Sequence, residues 1–335
     1  MTPPLLLLTI DTEEDNWFPS REGITVENIR GVERLQAMLD RYGVRPTYLT
    51  TYEVATRPWA MELLCDIERS GRAEVGAHLH PWNTPPLEEE FSDRNTGMRN
   101  LPPDLQRRKL ATLTTALAAA RGTAPTSFRA GRWLIDRVGI GALIAQGYEV
   151  DSSVLPYTYW FDVAGSPSYT HAPASPYFQD GEADVQTPLP AGPLVEVPAT
   201  VGFSRGSWRA WGPVDRLLNT RLPRLFHAIG VLARLDLVEK LSLCPEIDGF
   251  EEMRRLTEVA LRRRLPVLNA FFHSGSLVPG KSPYVRAPSE LESFLDRIER
   301  WLEWTARHTP FEAVTLTEAG RHVRQAAAVP AVPAG

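Results

Sequence analysis

Leu5-Leu6-Leu7-Leu8-Thr9-Ile10-Asp11-Thr12-Glu13-Glu14-Asp15 passes from four leucines to four acids within five positions. The apolar run reads as a buried strand, and the acids arrive where that strand should end. If Leu5–Ile10 is extended, side chains two apart share a face, so Asp11 and Glu13 can aim at one point. Two carboxylates so aimed repel unless a cation lies between them or one keeps a proton. The plainer reading of the same acids is a helix-capping loop.

Downstream, Val26–Tyr42 has helical spacing and stops at Gly43, and Val44–Thr50 reads as a second strand. A helix over Pro58–Arg69 leads into a third strand, Ala73–His78. Pro81–Pro103 holds five prolines and little apolar period, which predicts a long loop over a site. Then come a helix at Leu105–Arg121, a strand at Ser127–Ala130, a helix at Asp136–Gln146 and a strand at Tyr148–Ser152. From 157 to 192 the rhythm breaks into an irregular but aromatic, ordered excursion. Leu194–Pro198 resumes a strand, and a helical insertion is expected over about 212–264, with one or two helices in Val214–Leu241 and another at Glu251–Arg264. Val267–Phe272 is a strongly apolar strand, Pro288–Thr305 a helix and Ala313–Leu316 a last strand. The chain from Arg324 is expected to be loose, giving one catalytic domain over 1–325 and a flexible tail over 326–335.

About eight strands alternating with helices predict an α/β fold, a closed or nearly closed β/α barrel with its site at the C-terminal strand ends. A doubly wound open sheet is the alternative, but it wants a glycine-rich phosphate turn after its first strand, and none is present. The 335 residues carry 36 Lys plus Arg against 41 Asp plus Glu, formal net charge -5, so no phosphate-neutralising field points to nucleic acid. Cys65 and Cys244 are too few for a disulfide framework or a zinc cluster and suit a reducing compartment. The N-terminal apolar run is too short for a membrane span and lacks a basic flank, which makes the cytoplasm the expected location.

The third strand ends in Gly76-Ala77-His78-Leu79-His80-Pro81-Trp82. Pro81 restricts His80 to extended geometry, so both imidazoles should project the same way. Two histidines and a carboxylate form a common ligand set for zinc or another divalent ion, while a histidine bonded within the core is the plainer alternative. Arg129, in Phe128-Arg129-Ala130-Gly131-Arg132-Trp133, can fork onto a carboxylate and hold it ionised. Asp151, in Val150-Asp151-Ser152-Ser153, either supports the site or caps the next segment. His273, after Phe271-Phe272, stands where a core strand opens and can supply a proton near neutral pH. The rings of Trp82, Trp133, Tyr157, Tyr159 and Trp160 follow site residues closely and could stack on sugar faces or simply anchor loops.

These stretches, in order from Leu6 to about Leu316, resemble the polysaccharide deacetylase (NodB-homology) family, with 157–262 matching only loosely. The resemblance implies a distorted (β/α)7–8 barrel, often seven-stranded, that removes acetyl groups from N- or O-acetylated sugars. It implies Asp11 as catalytic base and Glu13 as metal ligand in Thr9-Ile10-Asp11-Thr12-Glu13. It further implies His78 as a ligand, Arg129 bridging to the base, Asp151 supporting the late histidine and lining the sugar pocket, and His273 as general acid. The family's metal histidines are usually four apart, which would place the second at Trp82; here His80 would substitute. The family's Asp-Asp pair is Asp-Thr-Glu here, leaving Glu13 or Glu14 to hold the ion. The expected cofactor is one divalent ion, zinc first, with Co, Mn and Ni as alternatives. The expected substrate is a small saccharide or glycan precursor held by Trp82, Arg132, Trp133, Tyr157 and Trp160. A phosphoesterase on another barrel and an inactive glycan-binding relative are the competing readings.

Overall fold

Every residue of β1 (Leu5–Thr12) is buried, and its two faces serve different layers. Leu6, Leu8 and Ile10 join the cluster formed with the surrounding helices, whereas Leu5 and Leu7 face the other way, toward Leu49, Val150, Val195 and Val267 inside the barrel. This alternation is the period of two in an extended chain. A strand covered on both faces has to be apolar nearly throughout, as the four leucines are. Each leucine so buried contributes about 1.5–3 kcal/mol of transfer free energy.

The computed structural model describes residues 3–160, 167–218 and 238–328. After β1 come β2 (Thr47–Thr50), β3 (Glu74–Leu79), β4 (Ser127–Ala130), β5 (Val150–Asp151), β6 (Tyr177–Gln179), β7 (Leu194–Glu196), β8 (Val201–Phe203), β9 (Lys240–Ser242), β10 (Val267–His273) and β11 (Glu312–Ala313). The helices are α1 (Val32–Asp40), α2 (Tyr52–Ala55), α3 (Pro58–Arg69), α4 (Pro103–Arg121), α5 (Arg137–Ala145), α6 (Trp208–Leu218), α7 (Phe250–Arg262), α8 (Pro288–His308) and α9 (Leu316–Ala328).

The main sheet runs β10-β1-β2-β3-β4-β5-β7-β6, with β11 beside β1. Its pairings are parallel except that of β6 with β7. The sheet curls without closing among the described residues, and irregular chain bridges part of the gap. The Thr200 N–H donates to the Asn269 carbonyl at 3.0 Å, and the Phe271 N–H donates to that of Leu243, also at 3.0 Å. The result is an α/β fold with a distorted, incompletely closed barrel.

Register fixes the site. Asp11 lies opposite His273 across β1 and β10, His78 opposite Arg129 across β3 and β4, and Asp151 opposite Glu196 across β5 and β7. All stand at or near the C-terminal ends of their strands. The chain from Pro81 to Pro102 holds only short 3-10 turns and lies next to this end, as its prolines predict.

Four expectations are corrected. Helix over Val214–Leu241 gives way at its end to β9, which pairs antiparallel with β8; residues 219–237 of that segment lie outside the described part. The excursion at 157–192 contains β6, recruited to the sheet edge by β7. The last strand is only Glu312–Ala313, because Leu316 already begins α9. Finally, α9 continues to Ala328, past the point at Arg324 where loose chain was expected; the Arg324 guanidinium donates to the Gly192 carbonyl at 2.8 Å and holds that turn down. Residues 329–335 of the expected tail lie outside the described part.

Candidate metal centre and acid–base pair

The four acids from Asp11 to Asp15 take four different jobs. Asp11 still belongs to the strand and turns inward, above Leu5, Leu7 and Thr9 on the same face. Its Oδ1 accepts from Arg129 Nη1 at 2.7 Å. Its Oδ2 lies 3.9 Å from His78 Nε2 and 3.9 Å from His273 Nε2. Glu13 Oε2 is 3.8 Å from His78 Nε2 and 3.2 Å from His80 Nε2. Glu14 lies behind His80 and receives its Nδ1 at 2.8 Å. Asp15 accepts from the N–H groups of Glu27 and Asn28 at the start of a short 3-10 turn, so the helix-capping reading holds for this acid alone.

Both imidazoles are locked from behind. His78 Nδ1 donates to the Arg129 carbonyl at 2.9 Å, which leaves Nε2 as the lone-pair nitrogen facing the site. Glu14 does the same for His80 and is itself held by Asn83 Nδ2 at 2.7 Å and Thr51 Oγ1 at 3.2 Å. Gly131 permits the close approach of β4: a Cβ there would come within 2.7 Å of His80 Cδ2 and of the Leu79 carbonyl. The loop after His80 is pinned from below by the buried Lys109 Nζ, which donates to the carbonyls of Pro81 at 2.8 Å and Thr84 at 2.7 Å.

One ligand atom each from Glu13, His78 and His80 lies within 4.8 Å of the others, all three residues being buried. Two donors about 2.1 Å from zinc at the tetrahedral angle stand about 3.4 Å apart. The observed 3.2 and 3.8 Å bracket that spacing. The electrostatics also call for a cation. Burial pushes the Glu13 carboxyl above its ordinary range, and the neighbouring Glu14 adds to this. Burial opposes charge on His80 as well, but Glu14 and Glu13 outweigh it and draw the imidazole up to about 10. Burial brings His78 down to about 3. A divalent ion replaces the proton that His80 otherwise holds among these carboxylates. The donor set therefore fits one divalent ion. Glu14→Gln should weaken metal binding about 10–100-fold by loosening His80; competition with a chromogenic chelator reads this directly.

Arg129 is fully buried, and its donors are all directed. Nη2 donates to Thr9 Oγ1 at 2.7 Å and to Ser152 Oγ at 3.0 Å, and Nε to the Ser152 carbonyl at 2.9 Å. Asn269 completes the network inside the barrel, accepting from Thr9 Oγ1 at 2.9 Å and donating to Ser152 Oγ at 3.2 Å. Burial disfavours the Asp11 charge, but Arg129, with His78 and His273, outweighs it and brings the carboxyl down to about 2. Asp11 is thus an ionised carboxylate whose second oxygen faces two histidines.

The acid behind His273 is Glu246, which corrects the expectation that Asp151 supports this histidine. Glu246 Oε2 meets His273 Nδ1 at 2.7 Å, and its Oε1 accepts from Ser276 Oγ at 2.5 Å. Burial opposes protonation of His273, yet Glu246, Glu13 and Asp11 together push it up to about 10. Asp151 instead faces Glu196 across β5 and β7, accepts from Ser153 Oγ at 2.5 Å, and is raised by burial to about 6.

Among the aromatic residues expected to bind sugar, Trp82 and Tyr157 are buried, whereas Trp133 and Trp160 are partly exposed. Trp82 is 5% exposed and stacks on His80 with centroids 4.0 Å apart, so it braces a ligand. Tyr157 is buried against Phe203 and Trp208. Trp160 meets Tyr169 edge-on and Trp133 meets Phe271 edge-on, while Tyr159 donates to the Asp215 carbonyl. Arg132 pairs with Asp93 at 2.8 Å. Arg132 and Trp133 both have positive φ, 57° and 62°, an unusual backbone for side chains of this size just past the end of β4. Sequence reasoning did not assign Glu246 or Trp17, and it raised Glu14 only as a rival ligand. The ring of Trp17 sits edge-on to His273, centroids 5.0 Å apart.

No protein-family model matches the sequence, and no match is found among curated proteins. Solved structures do match over nearly the whole chain. A candidate polysaccharide deacetylase from Mycobacterium smegmatis is 16% identical, with TM-score 0.55 over 99% of this chain and 93% of its own. A candidate glycoside hydrolase/deacetylase from Parabacteroides distasonis is 12% identical, with TM-score 0.62 over 96% of this chain and 71% of its own. Puue allantoinase is 11% identical, with TM-score 0.54 over 96% and 90%. The chain therefore has the distorted barrel fold of the polysaccharide deacetylase type.

Proposed function

We propose that this protein is a metal-dependent hydrolase that removes an acetyl group from nitrogen or oxygen of a saccharide. The observation that carries the reading is the free Oδ2 of Asp11, 3.9 Å from His78 on one side and from His273 on the other, directly beside the Glu13–His78–His80 ligand set. The fold alone chooses no substrate, since a candidate deacetylase and an allantoinase share it.

Glu13, His78 and His80 would hold the ion, and two imidazoles with one carboxylate are a set that zinc commonly takes, with cobalt, manganese and nickel as alternatives. When bound, such an ion polarises an acyl carbonyl and lowers the pKa of water. The rest falls to the chain's own groups. Asp11 takes a proton from the attacking water through Oδ2, while Arg129 keeps Oδ1 occupied and the carboxylate ionised. His273, protonated and held by Glu246, gives its Nε2 proton to the departing amine or alkoxide. Base and acid start 3.9 Å apart, so one substrate can touch both.

Glu246, which lies outside the ligand trio, favours the acid form of His273, and activity should fall as pH rises through the pKa of that imidazole. Glu246→Gln removes the carboxylate that favours the proton. The alkaline limb of the kcat/KM profile should then move down by about 1–3 pH units, with the acid limb unchanged. An unmoved alkaline limb would remove Glu246 from this role.

The reading as a whole is tested by assaying metal in the purified protein and acetate release from N-acetylated chito-oligosaccharides and acetylated xylan. We expect about one divalent ion per chain, acetate release abolished by chelator, and recovery with zinc. Metal-free protein that binds saccharide without hydrolysis, or turnover of phosphate esters without acetate release, would overturn it. Among the described residues no helix is long and apolar enough to cross a membrane. The two buried, unpaired thiols of Cys65 and Cys244 support our placing the protein in the cytoplasm.

A further inference from the structure

Trp82 and Tyr157, two of the rings expected to meet the sugar, are buried, so other rings have to meet it. His273 fixes where. The general acid must reach the atom that leaves, and in a deacetylation that atom is borne on the sugar ring itself. The sugar therefore lies on the His273 side of the site, not on the Trp82 side.

On that side stand Trp17 and Tyr284. The half-buried Trp17 ring is edge-on to His273, 5.0 Å away, and edge-on to Tyr284, 5.2 Å away. Tyr284 is 39% exposed, and Phe18, next to Trp17 in the chain, is 80% exposed. Trp17 and Tyr284 thus bring two partly exposed rings together beside His273, and adjoining exposed apolar groups mark binding surfaces where single ones do not. A pyranose presents an apolar C–H face to such rings and hydroxyls to solvent.

The charges on the surrounding loops narrow the ligand further. Arg21 is paired with Glu89 at 2.6 Å, Arg132 with Asp93 at 2.8 Å and Lys281 with Asp15 at 2.9 Å. Each of these cations already has its carboxylate, so none of the three calls for a phosphate or a uronate on the substrate.

We propose that Trp17, Phe18 and Tyr284 form the stacking surface for an uncharged pyranoside, placed so that its acetylated position faces His273. This rests on the deacetylase reading for its direction, though not for the surface. Calorimetric titration of the full-length, metal-loaded protein with tri-N-acetylchitotriose, acetylated xylotriose and trigalacturonic acid tests it. The two neutral ligands should bind, and Phe18→Ala/Tyr284→Ala should weaken the better of them about tenfold or more, from the loss of two aromatic contacts. Both positions are exposed or half-exposed, and circular dichroism together with unchanged metal content verifies that the variant is folded. In the acetate assay the same variant should raise KM more than it lowers kcat.

Undiminished neutral-sugar binding by the variant overturns the surface, and so does a wild type that binds neither neutral ligand. Preference for the galacturonide overturns the neutral class. A wild type that binds neutral sugar through these rings yet releases no acetate would leave the surface standing and refute the deacetylase reading instead.

Discussion

Asp11→Asn is expected to lower turnover by about 10²–10⁴-fold while leaving metal content unchanged. Asp11 lies outside the ligand trio, and its nearest approach to a ligand nitrogen is 3.9 Å, to His78. The amide keeps an acceptor for Arg129 Nη1, and the other Arg129 donors retain Thr9 and Ser152, so the barrel interior stays satisfied. What disappears is the basic oxygen facing both histidines. Initial rates of acetate release and metal analysis on the same preparation decide the matter. Near-normal turnover would remove Asp11 from the role of base, and joint loss of metal and activity would make it a ligand.

The second large effect is on stability. Arg129→Met should destabilise the metal-free protein by about 3–5 kcal/mol, the usual consequence of removing one member of a buried ion pair. Arg129 is the second-largest fully buried side chain among the described residues, and its guanidinium joins β1, β4 and the chain after β5. The pH dependence separates lost charge from lost packing. In the wild type the folded-state pKa of Asp11 is depressed to about 2, which corresponds to roughly 2 kcal/mol at about 1.4 kcal/mol per pH unit. That contribution is present above the ordinary carboxyl pKa and is lost as pH falls toward 2. Without Arg129, burial favours the protonated carboxyl, so acidification should narrow the gap between variant and wild type. Urea midpoints of chelator-treated proteins, at neutral pH and near the ordinary carboxyl pKa, measure this. A gap constant with pH would assign the loss to packing alone.

Leu5 to Glu13 were legible because two local rules agree there: four leucines demand burial on both faces, and a carboxylate cannot continue such a strand inward without a partner. His78 and His80 were legible for a related reason, since Pro81 fixes the backbone that aims them. Glu246 was not. It follows Cys244-Pro245 in irregular chain, 27 residues before the histidine it meets, and only the curl of the sheet brings the two together. Asp151 sits at a strand end like Asp11, yet its side chain turns to Glu196 on the neighbouring strand. Strand position is visible in a sequence, but the partner across the next ladder is not. The burial of Trp82 and Tyr157 was hidden for a similar reason. Proximity in sequence to a ligand says that a ring is near, not which of its faces remains uncovered.

The pairing of β1 with β10 also has a consequence for synthesis. Leu5 lies opposite Val267 and Asp11 opposite His273, so β1, once made, waits for a strand 262 residues further on. At about 5–20 residues per second, that delay is roughly 10–50 s on the ribosome. Glu13, His78 and His80, by contrast, are all made 193 residues before His273 is reached. The nascent chain can therefore gather Glu13, His78 and His80 long before His273 stands opposite Asp11.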